Sequence, residues 1–346
     1  MGGMARRSNR TLPATIYDVA RVAGVSASTV SRALSGYPHV APATREAIRD
    51  AAATLRYHPN LMAQDLAKGR SQTIGLLLPD TVSPFWGRLI KGIETGLREH
   101  DYSLLMASAE GSASAPKALE LLVAHHVDGL VVAAGGDIPD EDLVGLSDEV
   151  PLVAVGRSLP GREHSLIRVQ NFEGAYQVTQ HLLALGHERI AHISGPLWHV
   201  EALERLDGYR RALLDGGIAP DPDLLVEGDF NTRSGLIAME RLLSAGRDCT
   251  AVFASSDQMA LGANLALYHH GLEVPRDVSL VGFDDQPFAA YTRPPLTTVA
   301  QPLFEMGQAA AWNLIARIQG RPSALPTFAT TLCLRESTAS RRSAVS

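Results

Sequence analysis

Cysteine is scarce in this chain of 346 residues, which contains only Cys249 and Cys333. So few thiols exclude a disulfide framework and a multi-cysteine metal site. No run of about 18 uninterrupted apolar residues occurs, so the sequence predicts no transmembrane helix and no membrane partner. The basic N-terminal stretch lacks the apolar core of a secretion signal, and we therefore expect a cytoplasmic protein.

Sequence motifs typical of enzymes are also missing. Neither of the nucleotide-binding patterns G-x-G-x-x-G and G-x-x-x-x-G-K-[ST] occurs. The sequence also shows no pattern typical of a Ser/His/Asp catalytic triad. The segment HERIAH resembles a zinc-protease motif, but His187 and His192 are five residues apart rather than four. A strand pattern also begins at Arg189, so the two side chains would not share one helix face. The sequence predicts no catalytic residue, no metal and no cofactor.

Charge is distributed unevenly along the chain, which is long enough for two or three domains. Residues 1–72 contain ten Lys or Arg and four Asp or Glu, whereas the remainder contains twenty-one and thirty-three. The overall net charge of −6 conceals a basic head on an acidic body. Such a split directs the head towards a polyanion such as nucleic acid.

The segment TIYDVARVAGVSASTVSRALSG, residues 15–36, predicts two short helices around a turn at Gly24. Thr15 is expected to cap the first helix and Ser26 the second. On the second helix, Val30 and Leu34 would face a core. The opposite face would carry short polar side chains and one cation, namely Ser28, Ser31, Arg32 and Ser35. This pattern is typical of a helix-turn-helix.

The polar face of the second helix has the chemistry needed to read DNA. Short side chains allow close approach to a major groove, and Arg32 can donate two hydrogen bonds to a guanine. Serine hydroxyls can contact bases or phosphates. A third helix is predicted to begin at Pro42 and to bury Ile48, Ala51, Ala52 and Leu55.

The segment PNLMAQDLAKGR, residues 59–70, predicts a marginal helix between head and body. Asn60 could cap it, and one apolar face would comprise Met62, Ala63, Leu66 and Ala67. A helix of about ten residues is unstable alone, so it needs a partner. A plain amphipathic linker is the alternative interpretation.

From residue 73 onward, apolar runs alternate with helical patterns, which predicts an α/β protein with parallel sheets. Ligands of such sheets bind beyond the carboxyl ends of the strands. The candidate effector-binding residues fall at these ends: Phe85, Trp86, His199, Arg205, Phe230, Asp257 and Asp284. Aromatic, arginine and aspartate side chains suit a polyhydroxylated ligand. A sugar, a sugar phosphate and a nucleobase all fit, and Asp257 could instead cap the following helix.

The pattern TIYDVARVAGVSASTVSRALSG…V…TR…I…A…LRYHPN resembles the DNA-binding head of the lactose/galactose repressor (LacI/GalR) family. The likeness continues to about residue 338. It implies an α/β fold with an N-terminal three-helix helix-turn-helix head, a hinge helix and a two-lobed, periplasmic-binding-protein-like effector-binding core. The implied boundaries are 1–59 for the head, 60–72 for the hinge and 73–340 for the core. The N-lobe would comprise about 73–172 and a segment near 302–325, and the C-lobe about 173–301 and the C-terminal segment.

The resemblance also implies roles for individual residues. Ala27, Ser28 and Arg32 match positions that read bases, although Ala27 could offer only an apolar contact. Positions that hold phosphates match Thr15, Ser26, Thr29, Ser31, His39, Tyr57 and Asn60. In a dimer, Leu66 would wedge into the minor groove, while Ala63 allows close approach. Ala41 replaces the commoner serine cap of the third helix, which we expect to be slightly weaker.

These observations predict a ligand-responsive transcriptional regulator, specifically a repressor of carbohydrate-related genes. Its partners would be a palindromic double-stranded DNA operator, a small-molecule effector and a second copy of the chain. The effector's identity stays open, as does the direction in which it changes DNA binding. The rival interpretation is a solute-binding or sugar-processing protein with the same core, which would not explain residues 15–70.

Overall fold

The computed structural model describes residues 14–57, 70–109, 114–133, 138–157, 159–162, 165–246 and 248–341. Its internal contacts divide the chain into two units, Met1–Ser71 and Gln72–Ser346. The predicted hinge residues Asn60, Ala63 and Leu66 lie outside the described residues. Helices and strands are numbered below in chain order.

The described residues of the first unit form three helices, α1 (Ile16–Ala23), α2 (Ala27–Leu34) and α3 (Pro42–Thr54). Thr15 caps α1 in a reciprocal capping box with Asp18, and α1 ends at Gly24 in the left-handed conformation with φ of 69°. The side chain of Ser26 caps α2. The caps and the turn that the sequence predicts are therefore confirmed.

The three helices bury a small common core centred on Val19, Val30 and Ile48. On α2 the second fully buried residue is Ala33, whereas Leu34 is half-buried at the edge of this core. The predicted Val30–Leu34 face is thus rotated slightly, because α1 and α3 both pack on α2 and place the shorter side chain at the centre. Ala41 provides no side-chain cap for α3, as expected from its residue type.

The second unit contains two lobes, each built on a parallel sheet. The N-lobe sheet has strand order β11-β5-β4-β3-β1-β2. Its strands are β1 (Thr73–Leu78), β2 (Ser103–Ser108), β3 (Gly129–Val132), β4 (Leu152–Val155), β5 (Leu166–Val169) and β11 (Thr327–Phe328). Helices α4 (Pro84–Arg98), α5 (Ala115–Ala124), α6 (Asp140–Glu149) and α11 (Leu303–Ile318) belong to this lobe. Apolar clusters cover both faces of the sheet.

The C-lobe sheet has strand order β7-β6-β8-β9. Its strands are β6 (Ile190–Ser194), β7 (Leu225–Glu227), β8 (Ala251–Ala254) and β9 (Ser279–Val281). Four helices pack on it, α7 (Asn171–Ala184), α8 (Val200–Asp215), α9 (Thr232–Ser244) and α10 (Asp257–His269). An antiparallel pair, β10 (Thr298–Ala300) with β12 (Thr331–Cys333), completes the lobe.

The chain passes between the two lobes at Gln170, at Gln301–Pro302 and at Ala329–Thr330. The returning N-lobe segment continues to Phe328, beyond the expected 325, because β11 pairs with β5. The strands β5 and β10–β12 are only two to four residues long.

Helices α4 and α11 of the N-lobe cross at a contact between two glycines. A Cβ added at Gly92 would lie 2.0 Å from the carbonyl oxygen of Phe304, and one added at Gly307 would lie 2.2 Å from that of Leu89. Both distances are far shorter than a van der Waals contact, so the helices approach closely only because neither position carries a side chain. The first turn of this closely packed α4 contributes Phe85 and Trp86 to the inter-lobe cavity.

Candidate DNA-binding face and effector cavity

The exposed face of α2 carries the residues that the sequence predicts. Ser28 and Arg32 are exposed and Ser31 is half-buried, whereas Val30 lies in the core. The Arg32 guanidinium lies 6.0 Å from the centre of the Tyr37 ring. Among the described residues, Arg32 makes no ion pair, so its donors remain available to a partner.

Hydroxyl groups cluster at the start of α2. The Ser26 Oγ accepts a hydrogen bond from the Thr29 backbone N–H at 3.1 Å. It also lies 2.8 Å from both the Ser28 Oγ and the Thr29 Oγ1. The network orients three hydroxyls at a helix N-terminus, where the backbone dipole favours an anion such as a phosphate.

The remaining predicted DNA-contact residues of the head differ in exposure. Thr15 and His39 are exposed, and the His39 ring packs edge-on against Tyr37 with centroids 5.6 Å apart. Ala27 and Tyr57 are half-buried and pack against the head core. We did not predict Tyr37, whose position between two candidate residues is visible only in the folded head.

Between the lobes of the second unit lies a cavity of about 460 Å³. Six of the seven predicted effector-binding residues line it: Phe85, Trp86, His199, Arg205, Phe230 and Asp284. The first two come from the start of α4 in the N-lobe, and the others come from the C-lobe. Residues that are about 200 positions apart in the sequence therefore lie together beyond the carboxyl ends of the parallel strands.

Arg205 is buried at the base of this cavity, with a side chain that is only 3% exposed. Its Nε donates to the Asn171 Oδ1 at 2.9 Å, and its Nη1 donates to the Ser255 carbonyl oxygen at 2.6 Å. The guanidinium carbon lies 3.9 Å from the centre of the Phe283 ring and 5.6 Å from that of Phe230. These contacts fix the guanidinium between two aromatic rings.

Asp284 faces Arg205, with its Oδ1 3.8 Å from the Arg205 Nη1. The same oxygen accepts a hydrogen bond of 2.7 Å from the Gln301 amide. Burial raises the pKa of Asp284 to about 7, although Arg205 opposes the shift. Asp284 also has φ of 113°, a backbone conformation that non-glycine residues rarely adopt. Backbone strain of this kind is typical of functional sites, and here the contacts around Asp284 maintain the strained conformation.

Asp257 does not line the cavity, so this part of the sequence interpretation is wrong. Its carboxylate is buried beneath the site, where it accepts hydrogen bonds from the Gln286 backbone N–H at 2.6 Å and from the Thr298 hydroxyl. Burial raises its pKa well above the ordinary value. The neighbouring residues Ser256 and Gln258 reach the cavity instead, because Asp257 opens α10 and turns towards the 284–286 loop.

His199 lies at the N-terminus of α8 and forms part of an aromatic wall. Its ring centre lies 5.1 Å from that of Trp198 and 5.7 Å from that of Phe230. Burial lowers the pKa of His199 below its ordinary value, which favours the neutral imidazole at neutral pH. The wall offers flat apolar faces and one polar edge to a bound molecule.

Sequence analysis missed several cavity residues that are close to predicted ones. The polar members of this group are Asp80, Ser83, Glu201, Asp229, Asn231, Ser256, Gln258 and Gln286. Asp80 follows β1 in the same way that Asp284 follows β9. Its position just after a strand could therefore have identified it as a candidate ligand-binding residue. Glu201 and Gln258 lie in the first turns of helices, and their direction depends on packing.

The histidines of HERIAH have structural contacts. His192 is buried in β6, and its Nδ1 lies 2.9 Å from the Phe253 carbonyl oxygen. His187 contacts the Thr250 hydroxyl and the Ala339 carbonyl oxygen, both at 3.0 Å. Within the described ranges, no group of three or more His, Cys, Asp or Glu side chains could hold a metal ion. No helix in those ranges is long and apolar enough to cross a membrane.

Comparison with known proteins agrees with both parts of this arrangement. Residues 15–60 match the family model described as bacterial regulatory proteins, lacI family, and residues 179–338 match a periplasmic binding protein-like domain. The transcriptional regulator GalR of Escherichia coli strain K12 is 38% identical over 330 residues, which cover 94% of this chain and 95% of GalR. The chain belongs to the LacI family. It is a DNA-binding transcriptional regulator with a two-lobed core.

Solved structures of LacI-family proteins share the fold over nearly the whole length. The lac repressor dimer bound to operator and the anti-inducer ONPF superimposes with a TM-score of 0.85 and 32% identity. That comparison covers 95% of this chain and all of the repressor chain. A complex of the regulator CelR with cellobiose gives a TM-score of 0.72 and 36% identity, covering 94% of this chain and 99% of CelR.

Proposed function

We propose that this LacI-family chain is a ligand-responsive repressor of carbohydrate-related genes, which binds a palindromic operator as a dimer. A small molecule in the inter-lobe cavity changes its affinity for DNA. The observation that carries the proposal is the convergence of Phe85, Trp86, His199, Arg205, Phe230 and Asp284 on one cavity of about 460 Å³. A volume of this order suits a small-molecule ligand.

The cavity chemistry supports a polyhydroxylated effector, in particular a sugar or a sugar derivative. The aromatic faces of Trp86 and Phe230 can cover the apolar face of a sugar ring, while Asp284 and Arg205 accept and donate hydrogen bonds. CelR, which was solved with cellobiose, is 36% identical over nearly the full length. A sugar phosphate and a nucleobase remain the alternatives, and of these only the sugar phosphate differs from a sugar in charge.

In the head, we assign base contacts to Ala27, Ser28 and Arg32 of α2. We assign phosphate contacts to Thr15, Ser26, Thr29, Ser31, His39, Tyr57 and Asn60, and the minor groove to Ala63 and Leu66 of the hinge. Arg32 supports this assignment most directly, because it is exposed and forms no ion pair among the described residues. In a major groove, its guanidinium could donate two hydrogen bonds to a guanine. The lac repressor dimer that shares the fold was solved on its operator.

Regulation of DNA binding places the chain in the cytoplasm and gives it no catalytic step. The two lobes provide the switch, because a ligand that contacts both can favour one arrangement over another. The domain boundaries that follow are a head of residues 1–59, a hinge of 60–72 and a core of 73–340.

Operator selection followed by ligand screening tests this function. The purified full-length chain should enrich a palindromic site from random duplexes, and a sugar panel should contain a compound that raises its melting temperature. A ligand at 100 times its Kd adds ~2.7 kcal/mol of stability. The same compound should change the Kd for the selected operator. Arg32→Ala should bind the operator more weakly but keep the thermal shift, whereas thermal shifts without any enriched DNA site would indicate a solute-binding protein.

A further inference from the structure

Four helices begin at the effector cavity. Ser83 precedes α4, His199 precedes α8, Asn231 precedes α9 and Ser256 precedes α10, and all four residues line the cavity. The first N–H groups of a helix lack partners within it, and the backbone dipole makes that end positive. Four such ends around one cavity would ordinarily favour an anionic ligand such as a phosphate.

Two carboxylates of the chain bind the backbone N–H groups that immediately precede two of these helices. The Asp80 Oδ1 accepts hydrogen bonds from the backbone N–H groups of Val82 at 2.8 Å and of Ser83 at 2.6 Å, immediately before α4. The Asp229 Oδ1 accepts from the Asn231 N–H at 3.0 Å, immediately before α9. A phosphate at either place would have to displace a carboxylate that is covalently tethered there.

The other two helix starts carry acidic residues in their first turns. Glu201 is in the first turn of α8 and lines the cavity, with a side chain that is 19% exposed. Asp257 opens α10 beneath the cavity and accepts from the Gln286 N–H and the Thr298 hydroxyl. An acidic residue therefore lies at each of the four helix starts, and Asp80, Glu201 and Asp229 also line the cavity.

The basic side chain of the cavity does not offset these carboxylates. Arg205 is the one Lys or Arg among the described lining residues. Its Nε and Nη1 are used by Asn171 and Ser255, and its charge faces Asp284. Two of its five N–H donors are thus used by the protein, and its charge is balanced by a carboxyl group on the opposite side, so Arg205 adds little net positive charge to the cavity.

Uncharged polar groups complete the lining. Gln286 is only 3% exposed, and its Oε1 has no hydrogen-bond partner among the described residues. A buried acceptor without a partner is costly, so it favours a ligand that donates a hydrogen bond. The hydroxyl groups of a sugar can donate this hydrogen bond, whether or not the sugar is phosphorylated. The buried amide thus favours a hydroxylated ligand, and the carboxylates decide between its neutral and its phosphorylated form.

We propose that the effector cavity selects an uncharged saccharide and rejects phosphorylated sugars, because Asp80, Glu201 and Asp229 line it beside one arginine that already faces Asp284. This inference rests on the proposed function and chooses among the ligand classes that it leaves open. Asp80, Glu201 and Asp229 carry the selectivity. They are specificity-determining residues of the proposed site.

Matched pairs of sugars test the inference on the wild-type protein. Glucose, ribose, galactose and trehalose would be compared with glucose 6-phosphate, ribose 5-phosphate, galactose 1-phosphate and trehalose 6-phosphate by calorimetry and thermal shift at equal ionic strength. Any pair that binds should bind at least about tenfold more tightly in its neutral form. Tighter binding of a phosphorylated member would overturn the inference while leaving a ligand-responsive regulator intact. If none of these sugars binds, the inference is tested with inorganic phosphate alone.

Inorganic phosphate probes the carboxylates without knowledge of the effector. The wild-type chain should show no thermal shift in phosphate relative to chloride at equal ionic strength. The variant Asp80→Asn/Glu201→Gln/Asp229→Asn should gain a phosphate-dependent shift of its melting temperature. The control Asp101→Asn/Glu120→Gln/Asp207→Asn makes the same change in net charge at exposed positions and should gain none. A phosphate-dependent shift in the wild type, or equal responses of the two triple variants, would reject the proposal.

Discussion

Gln258 and Ser83 form a hydrogen bond between the two lobes. The Gln258 Nε2, in the first turn of α10, donates to the Ser83 Oγ at the start of α4 over 2.8 Å. Both residues line the cavity, so the bond exists only when the lobes are close together. The presence of this hydrogen bond therefore indicates that the two lobes are close together, whichever ligand is bound.

We expect Gln258→Ala and Ser83→Ala to weaken effector binding by a similar factor. The net value of one hydrogen bond is about 0.5–1.5 kcal/mol, which corresponds to roughly two- to tenfold in Kd. Because both residues share one bond, the double variant should lose no more than either single variant. Calorimetry on the three variants measures this coupling. Additive losses would show that the bond does not hold the closed arrangement.

Arg32→Ala should weaken operator binding by roughly 1–3 kcal/mol and relax the preference at one base pair in each half-site. The reason is the exposed guanidinium on α2, which has no ion-pair partner among the described residues. Fluorescence anisotropy with single-base operator variants would measure both effects. Arg49→Ala, an exposed arginine on α3, serves as the control and should leave base preference unchanged. An unaltered preference in Arg32→Ala would contradict the assignment.

Asp284→Asn should abolish or strongly reduce the effector response while the unliganded protein binds operator as before. The substitution keeps the side-chain volume but replaces a carboxylate by a neutral amide. Hydrogen bonds to charged groups are worth roughly 1.5–3 kcal/mol, so the effector Kd should rise at least about tenfold. Operator binding titrated with effector measures the response. A normal response would remove Asp284 from the site and leave Phe230, Trp86 and His199 as candidates.

Asp284 should also make stability depend on pH. Its pKa of about 7 in the folded chain lies above its ordinary value of 3.8, so the protonated carboxyl favours folding. This contribution is fully present below about pH 4 and is lost as the pH rises through about 7. The wild type should therefore lose more stability than Asp284→Asn between about pH 5 and 8. Melting temperatures across this range, with the exposed Asp215→Asn as control, provide the measurement, and parallel curves would contradict the prediction.

Gly92→Ala should destabilise the N-lobe without touching any cavity residue. The new Cβ would lie 2.0 Å from the Phe304 carbonyl oxygen, so α4 and α11 would have to separate. Overpacking of this kind typically costs about 1–3 kcal/mol. Chemical denaturation would measure the loss. Gly87→Ala, also on α4 but with no atom within 4 Å of the added Cβ, is the matched control and should be neutral or slightly stabilising.

Much of the head could be predicted from its sequence because short-range rules govern it. The caps at Thr15 and Ser26, the left-handed Gly24 and the proline start of α3 each depend on residues within one helical turn. The apolar spacing fixes which side of each helix is buried. The only difference, Ala33 in place of Leu34 at the centre of the core, arises because two neighbouring helices decide the final rotation of α2.

The effector cavity could be predicted only in part. Parallel strands end at a common edge, so Phe230 and Asp284 could be placed there from the order of apolar runs alone. The first turn of a helix follows a different rule, since successive side chains point about 100° apart. The sequence alone therefore could not decide among Ser256, Asp257 and Gln258, and the tertiary packing of the 284–286 loop turns Asp257 inward.

The sequence by itself determined the helix-turn-helix, the alternation of strands and helices, and the edge of the sheets at which a ligand binds. These depend on local periodicity and on capping within a few residues. Only the tertiary structure decided that Asp80, Glu201 and Asp229 surround the same cavity as Arg205. Their helices start on different lobes and far apart in the chain, and only the packing of the two sheets brings those starts together.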